Sequence, residues 1–373
     1  MTRKILLVAG ARPNFMKIAP IIRALEKRSD AFTYRLVHTG QHFDRDMSAV
    51  FFEELGIPEP DVNLDSGGGS HAEQTAKILT RFEQVCLQEK PDCVVVVGDV
   101  NSTLACSIVA KKLQIPVAHV EAGLRSRDMS MPEEINRLVT DAISDWFFVT
   151  EPDGSRNLLG EGKDPDKVFF VGHVMVDNLF YQRDRLEAAD RAGFVTEGLK
   201  SGRAEYGVVT LHRPSNVDDP AALAGIAKAL QTVSARLPLI FPVHPRTRSN
   251  LEKIGLDLGP NITLTKPLSY MEFLNLWKDA RLILTDSGGL QEETTAIGVP
   301  CLTLRFNTER PVTVDEGTNE LVGNEPSNII AAAEKVLDGG AKQGRRPELW
   351  DGHAAERIVE TLDRVCPAAS QAA

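Results

Sequence analysis

Residues 281–300 read RLILTDSGGLQEETTAIGVP, and they indicate the fold more directly than any other stretch. The apolar run 281–285 is typical of a buried strand, and the residues after the turn continue as a short helix that Gly298 ends. The turn itself, Ser-Gly-Gly at 287–289, presents backbone N–H groups and the positive end of a helix dipole. The stretch therefore predicts a strand, a glycine turn that suits a phosphate, and a helix.

Two acids follow this turn, Glu292 and Glu293. They lie about one helical turn beyond it, too far along the helix for a simple cap. A carboxylate at this point can accept hydrogen bonds from sugar hydroxyls beside a bound phosphate. The alternative is a tight turn followed by solvated acids.

Length and charge limit the class of protein. The chain has 373 residues, which predicts two domains because single cores rarely grow beyond about 250 residues. Its composition, 42% hydrophobic and 25% charged, is that of a globular protein. The net charge of -10 argues against nucleic acid as a partner, since phosphate backbones require clustered cations.

Five cysteines are present and none forms a CxxC pair, so we expect no disulfide framework. The first residues lead into a strand pattern without the apolar region of a signal peptide. No apolar stretch reaches the roughly 18 residues of a membrane span. We therefore expect a cytoplasmic protein without membrane contact.

Short β-rich runs alternate with helix-period segments along the whole chain, which predicts two Rossmann-like, doubly wound parallel-sheet domains of the α/β class. The predicted strands are 5–9, 34–39, 93–98, 117–121, 146–150, 168–171, 207–211, 239–243, 262–265, 282–285 and 301–304. We predict an N-terminal domain at 1–175 and a C-terminal domain at 176–350. A last helix at about 354–366 is expected to pack back on the first domain, and 367–373 to fray.

Polar and ionisable residues follow six of these strands. Ligands of open α/β sheets bind beyond the carboxyl ends of the strands, so the six groups together predict a site, with two facing rims and a cleft between the domains. The groups are 10–14, 98–102, 119–125, 211–214, 244–246 and 286–289.

Two of the first three groups contain a carboxylate. Asp99 and Glu121 are one βα repeat apart and are expected to end neighbouring strands, where one can hold a proton while the other acts as a base. Glu133 opens the next helix, and Arg137 lies four residues later on the same face. The structural alternatives are a helix cap for Asp99 and ordinary first-turn acid for Glu133.

Two of the groups in the second half of the chain contain a histidine followed by an arginine. His212 stands beside Arg213, and His244 is followed closely by Arg246, which favours an anionic ligand over a purely structural role. No Gly-x-Gly-x-x-Gly follows the first strand, no P-loop is present, and the histidines lack metal-ligand spacing. We expect neither a dinucleotide cofactor nor a metal.

Eight stretches resemble the non-hydrolysing UDP-N-acetylglucosamine 2-epimerases, in order and over nearly the whole chain. They are GARPNFMK (10–17), TGQH (39–42), GD (98–99), HVEAGLR (119–125), PEEINR (132–137), PVH (242–244), TDSGGLQEE (285–293) and TERP (308–311). The resemblance implies the GT-B type of fold, two Rossmann-like domains with the active site in the interdomain cleft, and a homodimer.

The resemblance also implies site residues. The catalytic group would be Asp99, Glu121, Glu133, Arg137 and His212; the substrate-binding group would be Arg12, Lys17, His244, Phe273, Ser287, Gly288, Gly289, Glu293 and Arg310. Within the second group, Arg12 and the amides at 287–289 would hold the diphosphate, Glu293 the ribose, and residues near 267–273 the uracil.

The implied reaction needs no redox cofactor. A base removes the proton on the second sugar carbon of UDP-N-acetylglucosamine while UDP leaves the first, and protonation of the opposite face with return of UDP gives the manno epimer. Two carboxyl groups can serve opposite faces of one carbon, and cations steady the departing diphosphate. The product class would supply cell-surface polysaccharide precursors.

Two stretches depart from the family pattern. Relatives regulated by their own substrate carry a second glutamine after the Gln-His pair and an arginine in the following loop, whereas this chain has Asp44 and Gly-Gly-Gly-Ser at 67–70. The stretch SRDMSM at 126–131 differs from the Pro-Trp-Pro loop of many members and lies close to Glu133. The regulatory site and the preferred sugar are therefore open.

Three alternatives remain at this point. The chain is a 2-epimerase of a related UDP-acetamido sugar, a UDP-sugar-dependent glycosyltransferase of the same fold, or a non-catalytic UDP-sugar sensor. A glycosyltransferase would need an acceptor groove, and a sensor would be expected to lose the acids Asp99, Glu121 and Glu133, all of which are present.

Overall fold

A computed structural model of the chain describes residues 2–41 and 49–366. His42 and Asp44, named above, and the tail at 367–373 lie outside the described residues. By Cα proximity the described residues divide into two compact units, one of residues 2–41, 49–180 and 348–366 and the other of residues 181–347.

The strands of the described residues alternate with helices, as the sequence pattern predicts. They are β1 Arg3–Ala9, β2 Phe32–His38, β3 Val62–Asn63, β4 Cys93–Val97, β5 Val117–Val120, β6 Trp146–Val149, β7 Val168–Phe170, β8 Gly207–Thr210, β9 Leu239–Pro242, β10 Ile262–Thr265, β11 Leu282–Thr285, β12 Cys301–Thr303 and β13 Asn319–Leu321. β3 and β13 were not predicted, because stretches of two and three residues leave no apolar run to recognise.

The helices connect successive strands. They are α1 Arg12–Glu26, α2 Ala49–Leu55, α3 His71–Glu89, α4 Asn101–Lys112, α5 Pro132–Ile143, α6 Pro152–Gly160, α7 Val174–Ala188, α8 Val195–Lys200, α9 Pro214–Val217, α10 Pro220–Ser234, α11 Pro245–Lys253, α12 Tyr270–Trp277, α13 Gly288–Ile297, α14 Pro311–Asp315, α15 Pro326–Lys335 and α16 Ala354–Val365. Within the described residues, no helix is long and apolar enough to cross a bilayer.

In the first unit, a parallel sheet has the strand order β3-β2-β1-β4-β5-β6-β7. Both faces of the sheet are covered. In β4, Cys93, Val95 and Val97 pack in a core with α1 and α16, whereas Val94 and Val96 pack on the other face with α3 and α4. The continuously apolar β4 is thus explained by burial on both sides.

In the second unit, a parallel sheet has the order β10-β9-β8-β11-β12-β13. Leu282 and Leu284 of β11 pack in its core with α10 and α15. In both sheets the first strand along the chain, β1 or β8, is central. The next two strands lie on one side of it, and all later strands lie on the other side. Each unit is therefore doubly wound, as predicted.

Candidate active site

The predicted strand-end groups fall on neighbouring strands within each unit. In the first unit they follow β1, β4 and β5, which lie side by side, and in the second they follow β9, β8 and β11, which also lie side by side. The winding direction reverses between β1 and β4 and again between β8 and β11. Such a reversal opens a crevice at the carboxyl edge of a parallel sheet, which is where ligands bind.

Glu121 occupies the end of β5 and is 2% exposed. Its backbone has φ of 67°, an unusual left-handed conformation for a residue with a side chain. Lys17 of α1 donates a hydrogen bond to its Oε2 and forms an ion pair with it. Gly98, after β4, makes room for this pair, because an added Cβ would lie 3.3 Å from the Glu121 carboxylate and 3.4 Å from the Lys17 ammonium. Lys17, predicted to bind substrate, therefore contacts a predicted catalytic acid.

Asn14 ties the start of α1 to this edge of the sheet. Its Oδ1 accepts a hydrogen bond from the Ala11 N–H at 3.0 Å, and its Nδ2 donates to the Val97 carbonyl at 3.2 Å. The same contact positions Arg12, the half-buried first residue of α1. Arg12 and Lys17 thus belong to one helix start.

Asp99 pairs with Arg137 and does not cap a helix. The N-cap residue of α4 is Val100, without a side-chain hydrogen bond, whereas the Asp99 Oδ2 accepts from the Arg137 Nε at 2.9 Å. The two side chains come from the turn after β4 and from α5. The carboxylate is one-third exposed while the guanidinium is buried, so Asp99 offers an oxygen to the surface of the first unit.

Glu133 and Glu134 differ sharply although they are adjacent in the first turn of α5. Glu134 is buried, pairs with Arg137, and accepts hydrogen bonds from the Ser126 and Arg127 N–H groups at 2.9 Å each. Burial opposes its ionisation, but these hydrogen bonds and the Arg137 charge lower its pKa below the ordinary value. Among the described residues, the half-buried Glu133 side chain has no hydrogen bond or ion pair. Glu134 anchors the loop at 126–131, and Glu133 is left available for chemistry.

Sequence reasoning missed the pair of His119 and Asp141 beneath these acids. His119 Nδ1 lies 2.7 Å from Asp141 Oδ1 and Nε2 lies 2.8 Å from the Gly98 carbonyl oxygen, so both ring nitrogens face acceptors. Burial would lower the pKa of His119, yet the Asp141 charge and these hydrogen bonds raise it above the ordinary value. The imidazolium holds the ends of β4 and β5 together. His119 was visible as a strand-end histidine, but its partner on α5 was not.

In the second unit, Ser287 precedes α13 and Gly288 begins it, so the glycine turn is a helix N-terminus, as the sequence pattern indicates. The first N–H groups of a helix have no partner within it. A Cβ added to Gly288 or Gly289 would meet nothing within 4 Å, and neither has a positive φ. The missing side chains therefore leave open space above the turn that a phosphate can occupy.

Glu293 of α13 is buried, and the Tyr270 hydroxyl donates to its Oε1 at 2.7 Å. Burial raises the pKa of Glu293 to about 7; the Tyr270 hydrogen bond lowers it and the neighbouring Glu292 charge raises it. Arg310 donates to the Glu292 carboxylate. Tyr270, which sequence reasoning placed only within the uracil region, thus orients the predicted ribose contact.

Three predicted residues share one cavity of about 220 Å³ in the second unit: His212, His244 and Phe273. The other lining residues are Thr210, Leu211, Pro242, Pro267 and Leu268. His244 is also the N-cap of α11, because its Nδ1 accepts from the Arg246 N–H at 3.3 Å. His244 therefore has a structural role as a helix cap and also lines the cavity.

Comparisons with known proteins point to one family. The family model described as UDP-N-acetylglucosamine 2-epimerase matches residues 23–363. The chain is 44% identical to the UDP-N-acetylglucosamine 2-epimerase of Methanocaldococcus jannaschii, over 96% of this chain and 98% of that one. It is 41% identical to the UDP-2,3-diacetamido-2,3-dideoxy-D-glucuronate 2-epimerase of Pseudomonas aeruginosa, over 97% and 100%.

A solved structure agrees with both. The crystal structure of the Methanocaldococcus jannaschii UDP-GlcNAc 2-epimerase, in complex with UDP-GlcNAc and UDP, matches with a TM-score of 0.85 and 43% identity. The match covers 97% of this chain and 99% of that one. The predicted GT-B type of fold, with two Rossmann-like domains, is confirmed.

Proposed function

The chain belongs to the UDP-N-acetylglucosamine 2-epimerase family, and we propose that it interconverts UDP-N-acetylglucosamine and UDP-N-acetylmannosamine. The observation that carries the proposal is the placement of Asp99 and Glu121 at the ends of the paired strands β4 and β5, each held by one cation. Carboxylates so fixed can exchange a proton with a sugar carbon, and the family supplies the substrate class.

The proposed reaction is an elimination followed by an addition. One carboxylate takes the proton from the second sugar carbon, the pair of electrons forms the double bond to the first carbon, and the bond from that carbon to UDP breaks. A second acid then returns a proton to the opposite face while UDP adds again. Glu121 is held beside the Lys17 ammonium, Asp99 beside Arg137, and Glu133 is the third acid.

UDP is assigned to the second unit. The N–H groups at the start of α13, from Ser287, Gly288 and Gly289, would donate hydrogen bonds to the diphosphate, with Arg12 and Arg310 proposed as further cations. Glu293 would accept hydrogen bonds from the ribose hydroxyls. The cavity with Phe273 suits a flat aromatic ring such as uracil, whose faces can stack on apolar side chains, and His212 and His244 at its wall would face the phosphates.

A second candidate substrate is a UDP-diacetamido sugar acid. The identity to the Pseudomonas aeruginosa enzyme is nearly as high as that to the archaeal enzyme, and the loop at 126–131 beside Glu133 departs from the common family pattern. This loop is anchored by Glu134, so its conformation is defined and can select among sugars.

The test is to incubate the purified protein in deuterated water with UDP-N-acetylglucosamine alone, and separately with UDP-2,3-diacetamido-2,3-dideoxyglucuronate. We expect the manno epimer of UDP-N-acetylglucosamine, with deuterium on the second sugar carbon. Turnover without deuterium gain would rule out the elimination route. Turnover of the diacetamido acid alone would replace the proposed substrate, and inertness towards both would leave a glycosyltransferase or a sensor.

We further propose that the active form is a cytoplasmic homodimer that supplies precursors of cell-surface polysaccharides, on the strength of the family resemblance. Light scattering of the purified chain is expected to give about twice the monomer mass of 40.9 kDa. A mass equal to one chain would contradict the dimer.

A further inference from the structure

Asp286, the residue directly before the glycine turn, is wholly buried although it is an acid. Its carboxylate lies between the ends of β8 and β11. It accepts hydrogen bonds from the backbone N–H groups of His212 at 3.1 Å and Arg213 at 2.9 Å, and from the Asn216 Nδ2 at 3.2 Å. The Oδ1 also lies 2.9 Å from the His212 Nδ1. Four donors converge on one side chain.

These contacts determine the charge of Asp286. Burial opposes ionisation, but the His212 contacts and the Arg213 N–H lower the pKa of Asp286 below the ordinary value. An ionised carboxylate can only accept hydrogen bonds. The His212 Nδ1 must therefore carry a proton, whatever the state of the other ring nitrogen.

The remaining ring nitrogen of His212 is the one that can serve a ligand. The His212 side chain is 49% exposed, and the residue lines the cavity that also contains His244, Pro267 and Phe273. With the proton fixed on Nδ1, the Nε2 atom can accept a proton from a ligand or, when protonated, donate one. A neighbouring carboxylate commonly fixes the tautomer of a functional histidine in this way.

We propose that Asp286 is a positioning residue that orients the His212 imidazole and presents its Nε2 atom to the departing and returning diphosphate. The inference rests on the proposed function, because that function has His212, at the wall of this cavity, face the diphosphate. Asp286 also precedes the predicted anion-binding turn that begins at Ser287, so one buried carboxylate joins this turn to His212, a predicted catalytic residue. This assigns Asp286 a role for which the sequence offered no sign beyond its place beside the glycines.

A helix cap is the competing explanation. Asp286 accepts a hydrogen bond from the Arg213 N–H at the start of the short α9. A residue with this role alone would affect the stability of the protein without selecting a tautomer of His212. Asn216 provides the matched control. Its Nδ2 donates to the Asp286 Oδ2 and, at 2.9 Å, to the Leu304 carbonyl, whereas the His212 Nδ1 contacts the Oδ1. Asn216 has no catalytic or binding assignment, so Asn216→Ala removes supporting contacts and leaves the His212 Nδ1 bond in place.

The first measurement uses the wild-type protein with ¹⁵N-labelled histidine, with the His212 signals assigned by comparison with His212→Asn. We expect long-range ¹H–¹⁵N spectra to show a protonated Nδ1 at every pH from 6 to 8. A neutral ring protonated on Nε2 would overturn the proposal. This result does not depend on turnover, so it remains decisive if Asp286→Asn fails to fold or if the protein proves inactive on UDP-acetamido sugars, which would instead refute the proposed function.

The second measurement compares Asp286→Asn with Asn216→Ala. We expect Asp286→Asn to lower the turnover number about 10²-fold, with the dissociation constant for UDP changed less than threefold, and to give a mixture of His212 tautomers. Asn216→Ala is expected to lower the melting temperature while turnover stays within threefold and the tautomer is retained. Folded Asp286→Asn with near wild-type turnover would overturn the positioning role.

Discussion

At the scale of single residues, burial changes the acid–base chemistry of Glu293. Burial raises its pKa from 4.5 to about 7, so the folded protein retains a proton that the unfolded chain releases between these values. The free energy of unfolding should therefore fall as pH rises from about 4.5 to about 7, and stay level above.

Glu293→Gln removes this ionisation. We expect the variant to lose that pH dependence and to be more stable than the wild type above pH 7, by at most about 3 kcal/mol, while binding UDP more weakly. Tyr270→Phe is the matched control: it removes the hydrogen bond that lowers the Glu293 pKa, so the decline in stability should extend above pH 7. Denaturant unfolding from pH 4 to 9 measures both, and identical pH profiles for wild type and Glu293→Gln would contradict the raised pKa.

Glu133 and Glu134 allow a second residue-scale test, because they are neighbours in sequence with different contacts. Glu133→Gln should lower turnover about 10²-fold or more, leave UDP affinity within tenfold, and leave the melting temperature almost unchanged. Glu134→Gln should lower the melting temperature, because the Ser126 and Arg127 N–H groups lose a charged acceptor. Steady-state kinetics and thermal unfolding, measured on both variants, distinguish the catalytic effect from the effect on stability. Near wild-type turnover of Glu133→Gln would make that acid an ordinary first-turn residue.

At the scale of elements, the start of α13 should show opposite effects on stability and on binding. Alanine in place of Gly289 meets no atom within 4 Å and favours the helix, so we expect Gly289→Ala to stabilise by roughly 0.5–1 kcal/mol. The added methyl group occupies the space proposed for the diphosphate, so UDP affinity should fall. Gly198→Ala in α8, also free of clashes, should stabilise without affecting UDP. Calorimetry showing equal UDP affinity for both variants would remove the turn from the phosphate site.

The ends of β4 and β5 depend on the charged state of His119, which joins them to α5. Its pKa is raised in the folded state, chiefly by Asp141, with Arg125 and Glu121 also nearby. The charged imidazole therefore contributes its full stabilisation of the folded protein below the ordinary histidine pKa of 6.5. This contribution is lost as pH rises through the raised pKa of His119. The stability difference between wild type and His119→Gln should be larger at pH 6 than at pH 9. A difference that is constant over this range would indicate a neutral ring.

At the scale of the whole molecule, regulation by substrate is expected to be absent. The chain has Asp44 and Gly-Gly-Gly-Ser at 67–70 in place of the residues that regulated relatives carry, and Ser70 caps α3 by accepting a hydrogen bond from the Glu73 N–H at 3.2 Å. We expect hyperbolic kinetics, and a reverse reaction that proceeds without added UDP-N-acetylglucosamine. A sigmoidal rate curve, or a reverse reaction that starts only after that sugar nucleotide is added, would contradict this.

The sequence by itself determined the doubly wound architecture of both domains. Apolar runs such as 93–97 and the glycine turn at 287–289 are local patterns, and a parallel βα repeat follows from their order along the chain. Short elements such as β3 and β13 escaped this reasoning, because their pairing comes from neighbouring strands and not from their own residues.

Only the tertiary structure decided which side chains meet. Lys17 and Glu121 are separated by 104 residues, and Asp286 and His212 by 74, so no local pattern links them. Nor does spacing tell Glu133 from Glu134, since both belong to one helical turn and only burial against the 126–131 loop separates them. Charge state follows from the same cause: the pKa of Glu293 and of His119 depends on burial and on partners from other elements, which exist only once the chain has folded.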